Sequence, residues 1–509
     1  MRASERMQMM RGLLDKLYSD AVRPIFLLGG LLGLVTITAC GQEPPIRQPN
    51  VLFLLADDQR ADTIHAWGNP DIETPNIDQL VAEGYSFRSN YNMGGNSGAV
   101  CMPSRAMIHS GLAYFRIPND LSGTKTMPEQ LREHGYTTFA TGKWHNGQES
   151  WLRGFEKGKN IFFGGMSDHI QVPLFDLSAD GVLVNERVGS GFSSEMFSAA
   201  AIEFLESHEG DKPFYAYVAF TAPHDPRQPP VAFREKYYAS RPPLPANFLP
   251  QHPFNLGEWM TVRDEILAPW PRTEETIAEQ LAEYYGMVTH LDEQVGKIMD
   301  ALERSGYRDN TIVIYAADHG LAMGSHGLLG KQNVYEHSQK SPLIFVGPGI
   351  PNGESRSLTY LLDIFPTVAS LLGISPPAEL DGEDLSAIWN GETSEVRDSL
   401  FLAFTDVMRS VRDERYKLIL YPQLGFTQLF DLGADADETT NLASNPSHET
   451  RIEDMTALLR EWQERLSDSQ PLTVENPIPM DVDLSGIVRE PDPWQPAWIV
   501  EKYFENDTR

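Results

Sequence analysis

NVLFLLADDQ, residues 50–59, is the stretch on which the reading of the fold turns. An unbroken apolar run, 51–56, ends in two adjacent carboxylates, Asp57 and Asp58. A short continuous run of this kind reads as a strand buried on both faces, as in a parallel sheet. Three further runs share its β-branched and aromatic character: 137–141 (TTFAT), 214–220 (FYAYVAF) and 311–317 (TIVIYAA). Helix-like segments alternate with them. A proline at an early helical position opens one at 74–80, a long amphipathic pattern covers 275–305, and another fills 358–372 with Pro366 inside it as a kink or break. The alternation predicts an α/β fold, a mixed, mostly parallel sheet flanked by helices.

The residues just beyond each run carry the function. Asp57 and Asp58 come after the first, Lys143 and His145 after the second, His224 after the third, Asp318 and His319 after the fourth. Open α/β sheets bind ligands beyond the carboxyl ends of their strands. One polar strand end means only solvent, but four in succession carrying acids, histidines and a lysine predict a site.

The 509 residues carry a formal net charge of -30, which excludes nonspecific binding to nucleic acid or anionic lipid. Two cysteines exclude a disulfide framework. Residues 25–39, IFLLGGLLGLVTITA, form an apolar run of signal-peptide length, and Ile37-Thr38-Ala39-Cys40-Gly41 resembles the lipobox of bacterial lipoproteins. The expected organisation is a signal peptide at 1–39, a tether at 40–49 and a catalytic domain at 50–380. A C-terminal subdomain at 381–469 and a proline-rich tail at 470–509 complete the chain. The subdomain rests on short runs at 399–403, 408–411 and 416–421, with a hairpin turn at 412–415 and a helix at 451–466, hence a small antiparallel sheet with a helix on it. The tail either wraps the body or stays loose. Export places the protein in the periplasm or on the cell surface, with the membrane reached only through a lipid on Cys40.

Three carboxylates and an imidazole at one edge would repel and be partly protonated without a cation. Oxygen donors favour calcium, with magnesium second, over softer metals. His319 would supply a nitrogen ligand or hold a neighbour by hydrogen bonding, whereas a solvated acidic loop would need no ion. Lys143, His145, His224 and Lys331 make a pocket for an anion. Cys101 stands at the start of a helix with Pro103, where the dipole favours an anion and a bare thiolate would be activated.

Cys101-x-Pro103-Ser104-Arg105 resembles the signature of the type I sulfatases, a family on the alkaline-phosphatase-like fold. So do Leu54-Leu55-Ala56-Asp57-Asp58-Gln59, Gly142-Lys143-Trp144-His145, Ala317-Asp318-His319-Gly320 and Gly330-Lys331, in that order. The closing helix within 359–372 and Phe430-Asp431-Leu432 with Glu438 and Asn441-Leu442 extend the resemblance from Asn50 to about Asn445. It implies that a maturation enzyme converts Cys101 to Cα-formylglycine, whose hydrate offers two hydroxyls. It further implies calcium on Asp57, Asp58, Asp318, His319 and residue 101, attack on sulfur by one hydroxyl, and charge stabilisation by Lys143, His224 and Lys331. His224 or Lys331 would protonate the leaving alcohol, His145 would deprotonate the second hydroxyl to expel sulfate, and Arg105 would brace residue 101. The substrate expected is a sulfated glycan. Two alternatives stay open: a phosphonate monoester hydrolase or phosphodiesterase of the same fold, and a calcium-dependent glycan-binding surface protein without catalysis. Gln59 and His326 are each as readily structural as functional. His65, Asn96 and Trp144 are expected to shape the substrate pocket, and His134 and His208 to lie on the surface.

Overall fold

The computed structural model describes residues 47–377 and 379–505. The expected signal at 1–39 and Cys40 lie outside them. All four expected strands form the centre of a ten-stranded sheet, in the order Thr311–Ala317, Asn50–Asp57, Phe214–Pro223, Thr137–Lys143, each parallel to its neighbours. Lys157–Phe162 extends the parallel set. Leu343–Val346 on one side and Pro173–Leu177 on the other join antiparallel. Three of the expected runs stop short of the observed strands, which continue to Asp57, Lys143 and Pro223.

Both faces of the central strand are buried. Val51, Phe53 and Leu55 enter one hydrophobic cluster, and Leu52, Leu54 and Ala56 another. The second cluster is closed by the long helix Glu274–Arg304, whose Leu291, Val295, Ile298 and Leu302 recur at helical spacing along one side. Thr273 caps this helix by accepting the Thr276 N–H at 3.1 Å. The first cluster is closed by the helix Cys101–Ser110 and by the small C-terminal sheet, whose Phe401 and Leu418 share one core with Phe53.

That small sheet runs Phe426–Asp431, Tyr416–Tyr421, Met408–Arg412, Leu400–Phe404, all antiparallel. Gly94–Gly95, far upstream, adds a fifth strand parallel to Leu400–Phe404. The helix Glu449–Leu466 covers it through Met455, Leu459 and Trp462. The segment at 358–372 departs from expectation. Strand Thr359–Tyr360 and the short 3-10 turn Leu361–Asp363 precede a helix that begins only at Ile364. Pro366 therefore sits in a first turn, where its missing N–H has no partner to lose, and breaks nothing. Of the two fates open to the tail, the described part packs back on the body: Met480 and Ile478 make backbone hydrogen bonds with Asn255 and Gln423. No helix among the described residues is long and apolar enough to cross a membrane.

Candidate active site

Register brings the acids together. Ala56 pairs with Ala317 across the central strands, so Asp57 and Asp318 leave the sheet side by side. Strand alternation would turn Asp58 to the opposite face. Instead Asp58 adopts a left-handed φ of 66°, a conformation that aspartate tolerates better than most residues. Its carbonyl accepts the Tyr284 hydroxyl at 2.7 Å, and its N–H donates to Asp318 Oδ1 at 3.0 Å. Both carboxylates of the pair thus reach one site.

Lys143 ends its strand behind Gly142, where the chain bulges with φ 89°. A Cβ on Gly142 would lie 1.8 Å from Ala219 O of the neighbouring strand. Gly142→Ala is therefore expected to cost about 3 kcal/mol or more through backbone strain and lost pairing, and to lower activity by moving Lys143. A thermal or denaturant midpoint equal to wild type would refute the expected strain.

Each acid finds a cation from the chain. Lys143 Nζ lies 2.6 Å from Asp57 Oδ2, Lys331 Nζ 2.8 Å from both Asp58 oxygens, and Arg105 Nε 3.0 Å from Asp318 Oδ2. All six groups are buried. Repulsion among the acids is thus relieved without an ion, contrary to the expectation that like charges alone demand one. Burial pushes Asp57 and Asp318 upward, yet Lys143, Arg105 and the histidines overrule it and hold both below the usual carboxylate range. Asp58 is raised to about 6, by burial first, against the pull of Lys331 and His319, with repulsion from Asp57 and Asp318 adding less.

A divalent cation still fits. Asp57 Oδ1 is buried without a hydrogen-bond partner, and Arg105 Nη2, 3.4 Å away, is likewise unbonded. Asp58, Cys101 and His319, and again Asp57, Cys101 and Asp318, each bring three donor atoms within 4.8 Å of one another. The six paired charges sum to zero, so one such ion would make the site cationic toward an anionic ester.

Cys101, at the first position of its helix, is buried and free. Its Sγ lies 3.2 Å from Lys331 Nζ, 3.3 Å from His319 Nε2 and 3.6 Å from Asp58 Oδ1. The helix start does not leave a bare thiolate here. Burial outweighs Lys143 and Lys331 and pushes the thiol well above its ordinary range. Arg105 does not brace residue 101 directly. It donates to Lys143 O at 2.7 Å as well as to Asp318 and approaches Asp57, so one side chain ties three strand ends. Ser104 adds a fourth tie, its hydroxyl donating to Asp318 O at 2.7 Å.

His145 and His224 join Cys101 and Lys331 on the wall of a cavity of about 520 Å³. Burial first, then Lys143 beside His145 and Lys331 beside His224, hold both imidazoles well below their ordinary range and therefore neutral at pH 7. Lys143, fully buried against Asp57, lies behind this wall. All ten expected site residues thus meet at one edge of the sheet. Asp225 was not foreseen. Its backbone O lies 2.7 Å and its Oδ1 3.2 Å from His224 Nδ1, and Arg263 Nη2 donates to Oδ1 at 3.0 Å. Its only signal in the sequence was its place next to His224.

The residues left undecided, and those expected to shape the pocket, lie elsewhere. Gln59 bonds Thr63 and Tyr315, within the protein. His326 stacks on Tyr335 at 3.9 Å and bonds Glu438 O, a structural role. Trp144 is buried against His109, His65 bonds Asn69 O, and Asn96 accepts from Asn119, so none of the three lines the cavity. His134 is exposed as expected, but His208 is buried between Phe204, Phe214 and Tyr307. An aromatic cage and a bond to Lys212 O hold that ring away from solvent.

This sheet order with this edge chemistry defines an alkaline-phosphatase-like hydrolase of anionic esters. Comparison with known proteins narrows the class. The sequence model of the Sulfatase family matches residues 49–374, and the chain belongs to that family and is a sulfuric ester hydrolase. A second model, N-sulphoglucosamine sulphohydrolase, C-terminal, matches 324–465. The chain is 26% identical to an arylsulfatase of Clostridium perfringens, covering 81% of this chain and 94% of that protein. It is 25% identical to an N-acetylglucosamine-6-O-sulfatase of Bacteroides thetaiotaomicron, covering 86% and 91%. A protein solved in complex with its substrate D-glucosamine-2-N,6-O-disulfate shares the fold, with TM-score 0.72 and 23% identity over 84% of this chain and all of that one.

Proposed function

We propose that the protein hydrolyses sulfate esters of a sulfated carbohydrate, using residue 101 as a Cα-formylglycine and a bound calcium ion. The observation that carries the reading is the position of Cys101 Sγ, within 3.6 Å of Lys331, His319 and Asp58 on the wall of the cavity. As a thiol it is protonated and a poor nucleophile. The formylglycine hydrate supplies an oxygen nucleophile and a second hydroxyl for release of sulfate. Asp57, Asp58, Asp318 and His319, with residue 101, would hold calcium, whose chemistry there is to lower the pKa of a hydroxyl and neutralise a sulfuryl oxygen.

The chain's own groups do the rest. Lys331 reaches both residue 101 and Asp58, and is placed to meet charge developing on the sulfuryl oxygens. Of the two groups expected to protonate the departing alcohol, Lys331 carries the proton, held charged by Asp58 against burial, whereas His224, held neutral by burial and fixed through Nδ1 on Asp225 O, offers its imidazole as a hydrogen-bonding wall. His145, neutral and with Nδ1 unpartnered, suits the base that takes a proton from residue 101. Lys143 and Arg105 hold the acids in place from behind. A carbohydrate substrate is supported by the named activities of the relatives that act on amino-sugar sulfates.

The domain limits expected from the sequence remain part of the proposal, as do maturation by a formylglycine-generating enzyme, export, and lipid anchoring at Cys40. The test is the peptide mass around residue 101, joined to sulfate release from monosaccharide sulfates and glycosaminoglycan disaccharides. An aldehyde or hydrate mass with sulfate release is expected. Cleavage of phosphonate or phosphodiesters in place of sulfate esters would overturn the substrate class, and an intact thiol in active protein would overturn the modification. The same spectrum reads the amino-terminal peptide, where lipidated Cys40 is the expected first residue.

A further inference from the structure

Both family matches end by residue 465, yet the cavity has a wall built from residues beyond it. The tail crosses the body and is pinned at several points. Arg489 Nη1 donates to Ile266 O at 3.1 Å, the Arg234 guanidinium stacks on Trp498 at 4.7 Å, and the Tyr503 hydroxyl donates to Glu283 at 2.8 Å. Between these anchors, Asp492, Pro493 and Trp494 border the cavity that contains Cys101 and His224. Gln495 Nε2 donates to Asp225 Oδ2 at 3.2 Å and to Asp492 Oδ2 at 3.1 Å, and Arg263 Nη1 lies 3.5 Å from Asp492 Oδ2. The tail is therefore bonded to the same Asp225 that holds His224.

Trp494 stands out in this wall. Its backbone N–H donates to Asp492 Oδ1 at 2.9 Å, and the next residue, Gln495, is buried. Trp494 itself is 38% exposed, and it is the one aromatic among the large apolar side chains left exposed in the described residues. An indole that borders a site from a backbone held this way has a defined use. Its flat apolar face covers the C–H face of a pyranose, while carboxylates beside it accept from ring hydroxyls. Asp264 and Asp492 on the same wall supply such acceptors.

We propose that Trp494 is the platform on which the sugar ring carrying the scissile sulfate stacks, so that the tail sets the preference for a saccharide leaving group. The inference rests on the carbohydrate reading above. Its test is steady-state kinetics of Trp494→Ala and Trp494→Phe on the saccharide of the panel that wild type cleaves best, and on choline sulfate, an ester without a ring. Alanine is expected to lower the saccharide-to-choline ratio of kcat/KM about tenfold, mainly through KM, the scale of one aromatic contact with its buried area. Phenylalanine is expected to recover most of it. An unchanged ratio, or an equal fall on both esters, would overturn the platform while leaving the carbohydrate reading intact. Wild-type protein that cleaves only the ring-free ester would overturn both.

Discussion

Cys101→Ala, made in a host that matures the wild type, is expected to lower turnover roughly 10⁵-fold or more, the scale seen when a nucleophile is removed from a preorganised site. The rest of the site should survive, because Cys101 Sγ is a contact of Lys331 and His319 and not their main anchor: Lys331 is held by Asp58, and His319 Nδ1 by Gly320 O at 2.9 Å. An unchanged thermal midpoint beside the lost turnover would separate chemistry from folding. Cys101→Ser refines the result. A serine hydroxyl can take one sulfuryl group, but it has no second hydroxyl with which to expel it. At most one equivalent of alcohol per protein is therefore expected in a rapid-mixing experiment, and then arrest. Sustained turnover by either variant would sink the proposed role of residue 101.

Exhaustive chelation is expected to lower activity by about 4 kcal/mol or more, roughly a thousandfold, with recovery on adding Ca²⁺ and less on adding Mg²⁺. The structural ground is the charge balance. Asp57, Asp58 and Asp318 are neutralised by Lys143, Lys331 and Arg105, so the chain alone offers an anionic ester no net attraction. An ion bound by the folded site and not by the unfolded chain also stabilises it, so the melting temperature should rise with calcium concentration. Full activity in protein shown by elemental analysis to be metal-free would remove the ion from the mechanism.

The four central strands were legible because each is buried on both faces, and such a run carries the same apolar signal wherever the chain later places it. The residues beyond them were legible for a related reason: a charged group at the end of a buried strand has one edge to go to. Arg105 shows where local reading stops. It was expected to serve residue 101, four positions away, but its guanidinium reaches strand ends far removed in sequence, Asp57, Lys143 and Asp318. His208 fails in the same way, and His326 was left undecided for the same reason, since a histidine in a glycine-rich loop or near a helix end looks alike whether it faces solvent or an aromatic cage.

The amino-acid sequence by itself determined the α/β class, the ten residues that meet at the sheet edge and the family to which they belong. Buried strands and short motifs are written in contiguous residues, and these survive any arrangement of the loops. Only the tertiary structure decided how the charges pair, that the helix-start thiol is protonated, and that Asp225, Arg263 and Trp494 stand around the cavity. Those outcomes depend on distances between groups remote in the chain and on how far each is withdrawn from water. Strand register and the path of the tail set both, and neither has a local code.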